Sequence, residues 1–447
     1  MRRALFIAYY FPPCGGAGVQ RSAKFARYLS AVGWTPAVVT RPVGSESDFA
    51  PIDASLCPEV ADVEVHRLEG PEPPPHTGWR GRADRWLRLR HPFASWWVEG
   101  VQRAAVRAQP FDLIYASCSP FESAVAAMRL ARRTGTPWVV DLRDPWALNE
   151  MIIFPTRLHR WFELRRMGRV LRAADAVVVN TPEARKLLLA RFPALRSRPV
   201  SVIPNGWDAA DFAAPAPERS DDRFRIVHAG YLHVAMGRSE RRRRLLRRVL
   251  GGSVPVDVLT RSHVFLMGAL DLLAGRRPDL APLIDVRFAG PVTPEVREVA
   301  EGRSVSVTFL GSVAHADSVA LVRSADLLFL PMQNLANGRR ASITPGKTYE
   351  YLASGRPILA AVPSGDTRDL LVRAGNALIA DPADSAGMSR LIEEAVERAR
   401  AGRRVPPPDP AVLARYERRA LTAELADVFT AVAARSPSRA EADGRRR

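Results

Sequence analysis

The stretch LFIAYYFPPCGGAGVQRSAKFARYLSAVGWTPAVVT, residues 5–40, decides the fold. Leu5–Tyr10 is a compact apolar run of strand length, and a glycine-rich turn follows it. Val19, Ala23, Ala26 and Leu29 then recur at helical spacing before TPAVVT resumes a buried strand. Strand, glycine loop, helix, strand is the opening of a doubly wound α/β domain. Outward from it the alternation continues through FDLIYASCSP (111–120), PWVVDLRDPW (137–146), a basic helix at 157–172, ADAVVVN (174–180) and PVSVIPNGWD (199–208).

At 209–222 the composition shifts to AADFAAPAPERSDD, a linker, and the pattern then starts again. FRIVHAGY (224–231), IDVRFAGP (284–291), VSVTFLG (305–311), LLFLP (327–331) and RPILAAV (356–362) read as strands, with helices at 263–275 and 345–354 among them. The halves echo each other: Ala174-Asp175 leads AVVVN, and Ala325-Asp326 leads LLFLP. The expected organisation is one α/β half at 1–212, a second at 213–404, a segment at 405–432 packing back on the first half, and a disordered tail at 433–447. A closing helix is expected over 409–429, with apolar Val412, Leu413, Tyr416, Leu421, Leu425, Val428 and Phe429.

A chain of 447 residues with 47% hydrophobic and 25% charged side chains has the composition of a packed, two-domain protein rather than a disordered one. Its formal charge of +18 favours anionic partners. Cys14, Cys57 and Cys118 are odd in number and far apart, which argues against a disulfide framework and a zinc site. MRRALFIAYYFPP breaks at Pro12-Pro13 with no small-residue cleavage site, so it reads as a first strand and not a leader. With no run of membrane-spanning length, a cytoplasmic location is expected, peripheral at most on the inner face of the membrane.

The chemistry concentrates in SITPGKTYEYLASGRPILA, residues 342–360. Only three of the 65 basic side chains are lysines, and Lys347 is one of them. Thr344 reads as an N-cap, Pro345 as the first helical position and Gly355 as the stop. Lys347 and the amides around Gly346 then lie at the positive end of a helix. Glu350 follows one turn on, about 4.5 Å along the axis. That pattern suits a diphosphate met by Lys347 and a ribose held by Glu350; the plain alternative is a solvated i,i+3 ion pair. ASITPGKT also satisfies a relaxed P-loop pattern, but LLFLP ends well before it and Pro345 removes an amide that the phosphate cradle needs. In the first half, Gly15 and Gly16 open a helix and suit either a phosphate or a tight βα turn.

With these motifs in hand, the chain resembles the retaining glycosyltransferases of family 4. The residues that carry the likeness are YYFPPCGGAGVQRSAKFARYLSAVGW, WVVDLRDPW, ADAVVVNTPEARKLL, VIPNGWD, HAGY, FLGSV and PGKTYEYLASGRPIL, which together span nearly the whole sequence. The resemblance implies the GT-B fold: two facing Rossmann-like domains with a nucleotide-sugar donor in the cleft between them. It matches Glu350 to the ribose-binding second glutamate of an E-x7-E motif and Gly16 to a glycine near the diphosphate. It matches Leu310–Gly311 to the segment at the base, Arg261 to the diphosphate arginine, and Asp144 to acceptor-side polar residues. Ser342 stands where the first glutamate is expected, and Met267 where a lysine often follows the arginine; Lys347 would then supply that charge. Arg238 competes for the phosphate role. No cofactor beyond the donor and no metal is expected, since charge on the departing diphosphate would be met by Arg261, Lys347 and helix amides. His228 and His233 read as a strand end and a loop. A nucleotide-sugar epimerase of the same fold and a non-catalytic nucleotide-sugar binder are the alternatives.

Three segments combine arginine with bulky apolar residues, at 79–97, 157–172 and 238–250. The first suits an anionic membrane and a glycan or lipid-linked acceptor. In the second, Leu158, Trp161, Leu164, Met167 and Leu171 form a stripe expected to face a core. No recognised module accompanies the charge, so nucleic acid is not expected as a partner.

Overall fold

The computed structural model describes residues 1–16, 18–44, 52–74, 81, 92–215, 217–219, 221–243, 250, 255–403 and 405–435. Most of the arginine- and tryptophan-rich stretch at 79–91, some of the basic stretch at 238–250 and residues 436–447 of the tail lie outside them. The chain divides into two compact units. One comprises Met1–Leu148, Trp161–Asn205 and the chain from Arg418 on; the other comprises Asn149–Arg160 and Gly206–Glu417.

The first unit is built on a seven-stranded sheet of β1 (Arg2–Ala8), β2 (Trp34–Thr40), β3 (Glu64–Arg67), β4 (Leu113–Cys118), β5 (Trp138–Leu142), β6 (Ala176–Val179) and β7 (Val200–Val202). Its order is β3-β2-β1-β4-β5-β6-β7, and every pairing is parallel. The central strands read as continuous apolar runs because helices cover both faces: β4, β5 and β6 are buried at every position. β3 is unexpected. It is an edge strand, EVHR, with no buried residue, so it lacks the apolar run that marks its neighbours.

A buried ion pair lies among the polar side chains inside this unit. Arg21, on the helix Val19–Leu29, donates from Nε (2.7 Å) and Nη2 (3.1 Å) to the two oxygens of Asp141 on β5. Its Nη1 donates to the carbonyl of Pro204 at 2.6 Å, and the Tyr115 hydroxyl donates to Asp141 Oδ2. Arg21 and Asp141 are both fully buried. Burial pushes the Tyr115 hydroxyl well above its ordinary pKa, with the Asp141 charge adding to it, so it remains a donor.

The second unit holds β8 (Phe224–Ala229), β9 (Val256–Asp257), β10 (Ile284–Ala289), β11 (Ser306–Gly311), β12 (Leu327–Pro331), β13 (Asn334–Leu335), β14 (Ile358–Ala361) and β15 (Ala377–Ala380). Its six-stranded parallel sheet runs β11-β10-β8-β12-β14-β15, with β9 and β13 as a separate antiparallel pair. Strand order reverses between β8 and β12, so the crevice beyond their carboxyl ends is the topological switch point, where open α/β sheets receive ligands.

The closing stretch is two helices, not one. Pro410–Ala414 belongs to the second unit and Arg418–Arg435 to the first. Between them the Tyr416 carbonyl accepts from Trp207 N–H, and Glu417 bridges to Trp207, which takes this turn out of the helical ladder. Val412, Leu413 and Tyr416 pack on the second unit's core. Leu421, Leu425 and Phe429 join the first, where Phe429 lies edge-on to Phe6 and Trp34.

Arg157–Ala173 also departs from expectation. Leu164, Met167 and Leu171 are buried, but Leu158 and Trp161 are exposed, as is Phe162. The apolar stripe faces the core only from Leu164 onward.

Removing one partner from a buried ion pair leaves the other uncompensated, at a cost of about 3–5 kcal/mol. Asp141→Ala should therefore destabilise the first unit by that order, read as a lowered urea midpoint in tryptophan fluorescence. An unchanged midpoint would show that the Arg21 pair contributes nothing to its stability.

Candidate functional site

The helix carrying the unusual lysine is Lys347–Ala353, shorter than the expected 345–354. Thr344 is not its cap. Gly346 takes that position in right-handed helical conformation, while the buried Thr344 hydroxyl accepts from Thr367 Oγ1 at 3.1 Å. What places the helix is Tyr351, fully buried, whose hydroxyl accepts from Ala229 N–H at the end of β8, 2.9 Å away. One turn earlier, Lys347 reaches the same strand end. Its Nζ lies 3.1 Å from His228 Nε2.

Glycine makes this approach feasible. A β-carbon built on Gly230, just past β8, would sit 2.2 Å from Lys347 Nζ and 2.9 Å from its Cε. Gly290, just past β10, serves likewise, since a β-carbon there would lie 2.4 Å from the Gly230 carbonyl oxygen. Gly230 N–H donates to Ala289 O at 2.7 Å and Gly290 N–H to Gly311 O at 2.8 Å, tying the carboxyl ends of β8, β10 and β11 together.

His228 is 1% exposed, and its Nδ1 lies 2.9 Å from the Phe329 carbonyl on β12. A carbonyl only accepts, so Nδ1 carries the proton and Nε2 presents a lone pair to the lysine. Burial, then the lysine's charge, holds the histidine well below its ordinary pKa, so it stays neutral. The lysine is shifted too. Burial and the nearby Arg261 lower it to about 7, with Glu350 working in the opposite direction. His233 is pushed down to about 3 by burial and by Arg261.

Arg261 ends a short helical turn, Val258–Thr260, and its carbonyl accepts from His233 N–H. Its Nη1 donates to Gln333 Oε1 at 3.0 Å. Gln333 follows β12, so Arg261, Lys347, His228 and Gly230 converge on the β8/β12 switch point. Glu350 lies on the helix one turn from Lys347. Gly311 closes β11 in left-handed conformation, beside an exposed Leu310. Met267 is fully buried in the apolar core, a position with no room for a charge. Arg238 is not a free competitor: it pairs with Glu298 at 2.6 Å. The P-loop alternative also falls, because β12 leads into β13 and then a buried stretch, Ala341–Pro345, rather than directly into the lysine's helix.

Ser342 is 1% exposed and offers no outward hydroxyl. Its Oγ donates to Glu150 Oε2 at 2.5 Å and its N–H to Glu150 Oε1 at 3.1 Å. Where a glutamate is expected, a serine instead binds a glutamate from a distant segment. Gly15, Gly16 and Asp144 lie in the first unit. Gly15 is buried; Gly16 is exposed with φ +86° just ahead of the helix Val19–Leu29. Asp144 follows β5, its carbonyl accepting from Trp146 N–H. His228, His233, Gly230 and Glu150 were missed as site residues. The HAGY motif, ending a strand in Ala229 and Gly230, was the available signal for His228 and Gly230; His233 and Glu150 had none.

Two family models match the chain: "Glycosyl transferase 4-like domain" over residues 15–206 and "Glycosyl transferases group 1" over 260–398. Among solved structures, HepE from Anabaena, in complex with UDP and glucose, is similar at 15% identity and TM-score 0.60, covering 96% of this chain and all of that one. Sucrose-phosphate synthase from Thermosynechococcus elongatus is similar at 16% identity and TM-score 0.60, over 97% of this chain and 100% of its own. MnaA from S. aureus, in a structure with UDP, aligns at 14% identity and TM-score 0.53, over 98% of this chain and 99% of its own. No curated protein matches the sequence.

A lysine held near pKa 7 is a nucleophilic amine at neutral pH. Acylation of the lysines, followed by peptide mass spectrometry against pH, should show Lys347 half-reactive near pH 7. A free lysine peptide, titrating at about 10.4, supplies the reference curve. Gly230→Ala should drive the ammonium from its seat and move the Lys347 curve toward that of the free peptide. Coincident curves in the parent protein would refute the buried-amine geometry.

Proposed function

The chain belongs to the glycosyltransferases of GT-B fold, and we propose that it transfers a sugar from a nucleoside-diphosphate donor to an acceptor with retention of configuration. One observation carries this reading. Within the unit matched to glycosyltransferase group 1, an ammonium and a guanidinium converge at the switch point of a parallel sheet, against a floor of glycine. The hard step is cleavage of the anomeric C–O bond, which loads negative charge on the departing diphosphate. Lys347 and Arg261 are placed to meet that charge as it develops, and fixed cations in a partly buried site stabilise it more than they would in water. Glu350, on the helix of Lys347, accepts from the ribose hydroxyls.

We assign no side-chain nucleophile. The departing diphosphate takes the acceptor's proton on the face from which it leaves. With Lys347 and Arg261 supplying the positive charge, the reaction is metal-independent, and turnover should persist in excess chelator. Gly15 and Gly16 are assigned to phosphate binding and Asp144 to the acceptor.

The acceptor is a glycan or lipid-linked glycan precursor presented at an anionic membrane. Supporting this, Leu158, Trp161 and Phe162 are exposed on one helix with Arg165, whose guanidinium lies 4.7 Å over the Trp161 ring. Among the described residues no helix is long and apolar enough to cross a membrane, so association would be peripheral.

Two measurements test the reading. Because unliganded Lys347 is largely neutral at pH 8, binding UDP or GDP there must take up a proton. Calorimetry in buffers of different ionisation enthalpy should register that uptake, and binding should weaken as pH rises above about 7. Lys347→Ala should abolish the uptake and weaken binding roughly 10- to 150-fold, the worth of a charged hydrogen bond; unaltered affinity and turnover would defeat the assignment. Vesicles of anionic lipid should co-sediment the protein at low salt and release a Trp161→Ser, Phe162→Ser variant. Equal binding by that variant would exclude this surface.

A further inference from the structure

A described contact of Arg261 leads through Gln333 to a carboxylate that also holds the approach to Lys347. Glu150 is 5% exposed and sits in Asn149–Arg160, a segment grouped with the second unit although the chain on either side belongs to the first. Its Oε1 accepts from Gln333 Nε2 at 3.0 Å and from Ser342 N–H at 3.1 Å, and its Oε2 accepts from Ser342 Oγ at 2.5 Å. Gln333 is fully buried and passes its other end to Arg261.

An ionised carboxylate only accepts, so every group facing it must donate. Gln333 is therefore held with its NH2 toward Glu150 and its carbonyl oxygen toward the guanidinium. The flipped amide would set oxygen against carboxylate and NH2 against Arg261, losing both bonds and leaving buried polar atoms unmatched. On its other side, Glu150 pins the backbone and hydroxyl of Ser342, within the buried stretch Ala341–Pro345 that leads into Lys347. We propose that Glu150 is the positioning residue of the donor site, fixing Arg261 through Gln333 and the approach to Lys347 through Ser342. This rests on the reading that those two cations receive the donor diphosphate. The neutral amide between them lets Glu150 orient the guanidinium without placing its own charge in direct contact with it.

The test uses the full-length protein, titrated with UDP and with inorganic pyrophosphate, which reports the anion site without a base. Glu150→Gln keeps size and shape but adds an NH2 that must face a donor, so both ligands should bind about tenfold more weakly, the loss of one hydrogen bond to a charged group. Gln333→Leu should cause a similar loss, and the double variant no more than either single one, because both break the same relay. A role confined to stability would lower the urea midpoint of Glu150→Gln while leaving the folded protein's affinities intact, and that result overturns the proposal. So would additive losses in the double variant. If the unaltered protein binds neither UDP, GDP nor pyrophosphate, the functional reading fails and takes this inference with it. If it binds them and Glu150→Gln binds them equally well, only the inference falls.

Discussion

An ammonium resting against a bare α-carbon governs the second unit. Lys347 can lie where it does only because Gly230 has no side chain, and Gly230 can approach its neighbours only because Gly290 has none. The Tyr351–Ala229 hydrogen bond brings the lysine's helix to the end of β8, and neutral His228 turns a lone pair toward the amine. Every one of these contacts is local to the carboxyl ends of β8, β10 and β12, where sheet topology already opens a crevice. The fold supplies the crevice, and small residues at its floor admit a charge to it.

That charge is held under electrostatic tension. Burial and Arg261 both disfavour the protonated lysine, which is why its pKa falls to about 7, and the same burial keeps His228 neutral. A dianionic ligand reverses the balance by raising the lysine's affinity for its proton. By linkage, whatever protonation the ligand restores enters its binding free energy. Transition states that gather more negative charge than the bound donor gain more from the same cations, which turns a destabilised resting site into differential stabilisation.

How much of this the sequence made legible depended on how local each determinant was. Buried central strands announce themselves as apolar runs, so most of both sheets could be read directly. β3 could not, because a half-exposed edge strand spelled EVHR looks like surface, and β9 and β13 are only two residues long. The lysine and the glutamate one turn beyond it share a single helix and were visible as a spacing. His228 is 119 positions from Lys347 and Glu150 is 192 from Ser342, so their partnerships exist only in the folded chain. Thr344 misled for a related reason. Its side chain could cap a helix or serve a tertiary contact, and the Thr367 hydroxyl took it.

The scarcity of lysine in this chain then has a physical explanation at position 347. The seat beside Gly230 is bounded closely enough that one added carbon would collide with Nζ, and a planar guanidinium is broader than an ammonium. An arginine there would also remain charged whatever its surroundings, whereas a lysine yields its proton when burial and a neighbouring cation demand it. Arg261 carries the permanent charge and is oriented by a neutral amide; Lys347 carries the adjustable one and is seated against glycine. Two different cations, held by two different devices, make a site that sheds one of its two charges when empty and carries both when an anion enters.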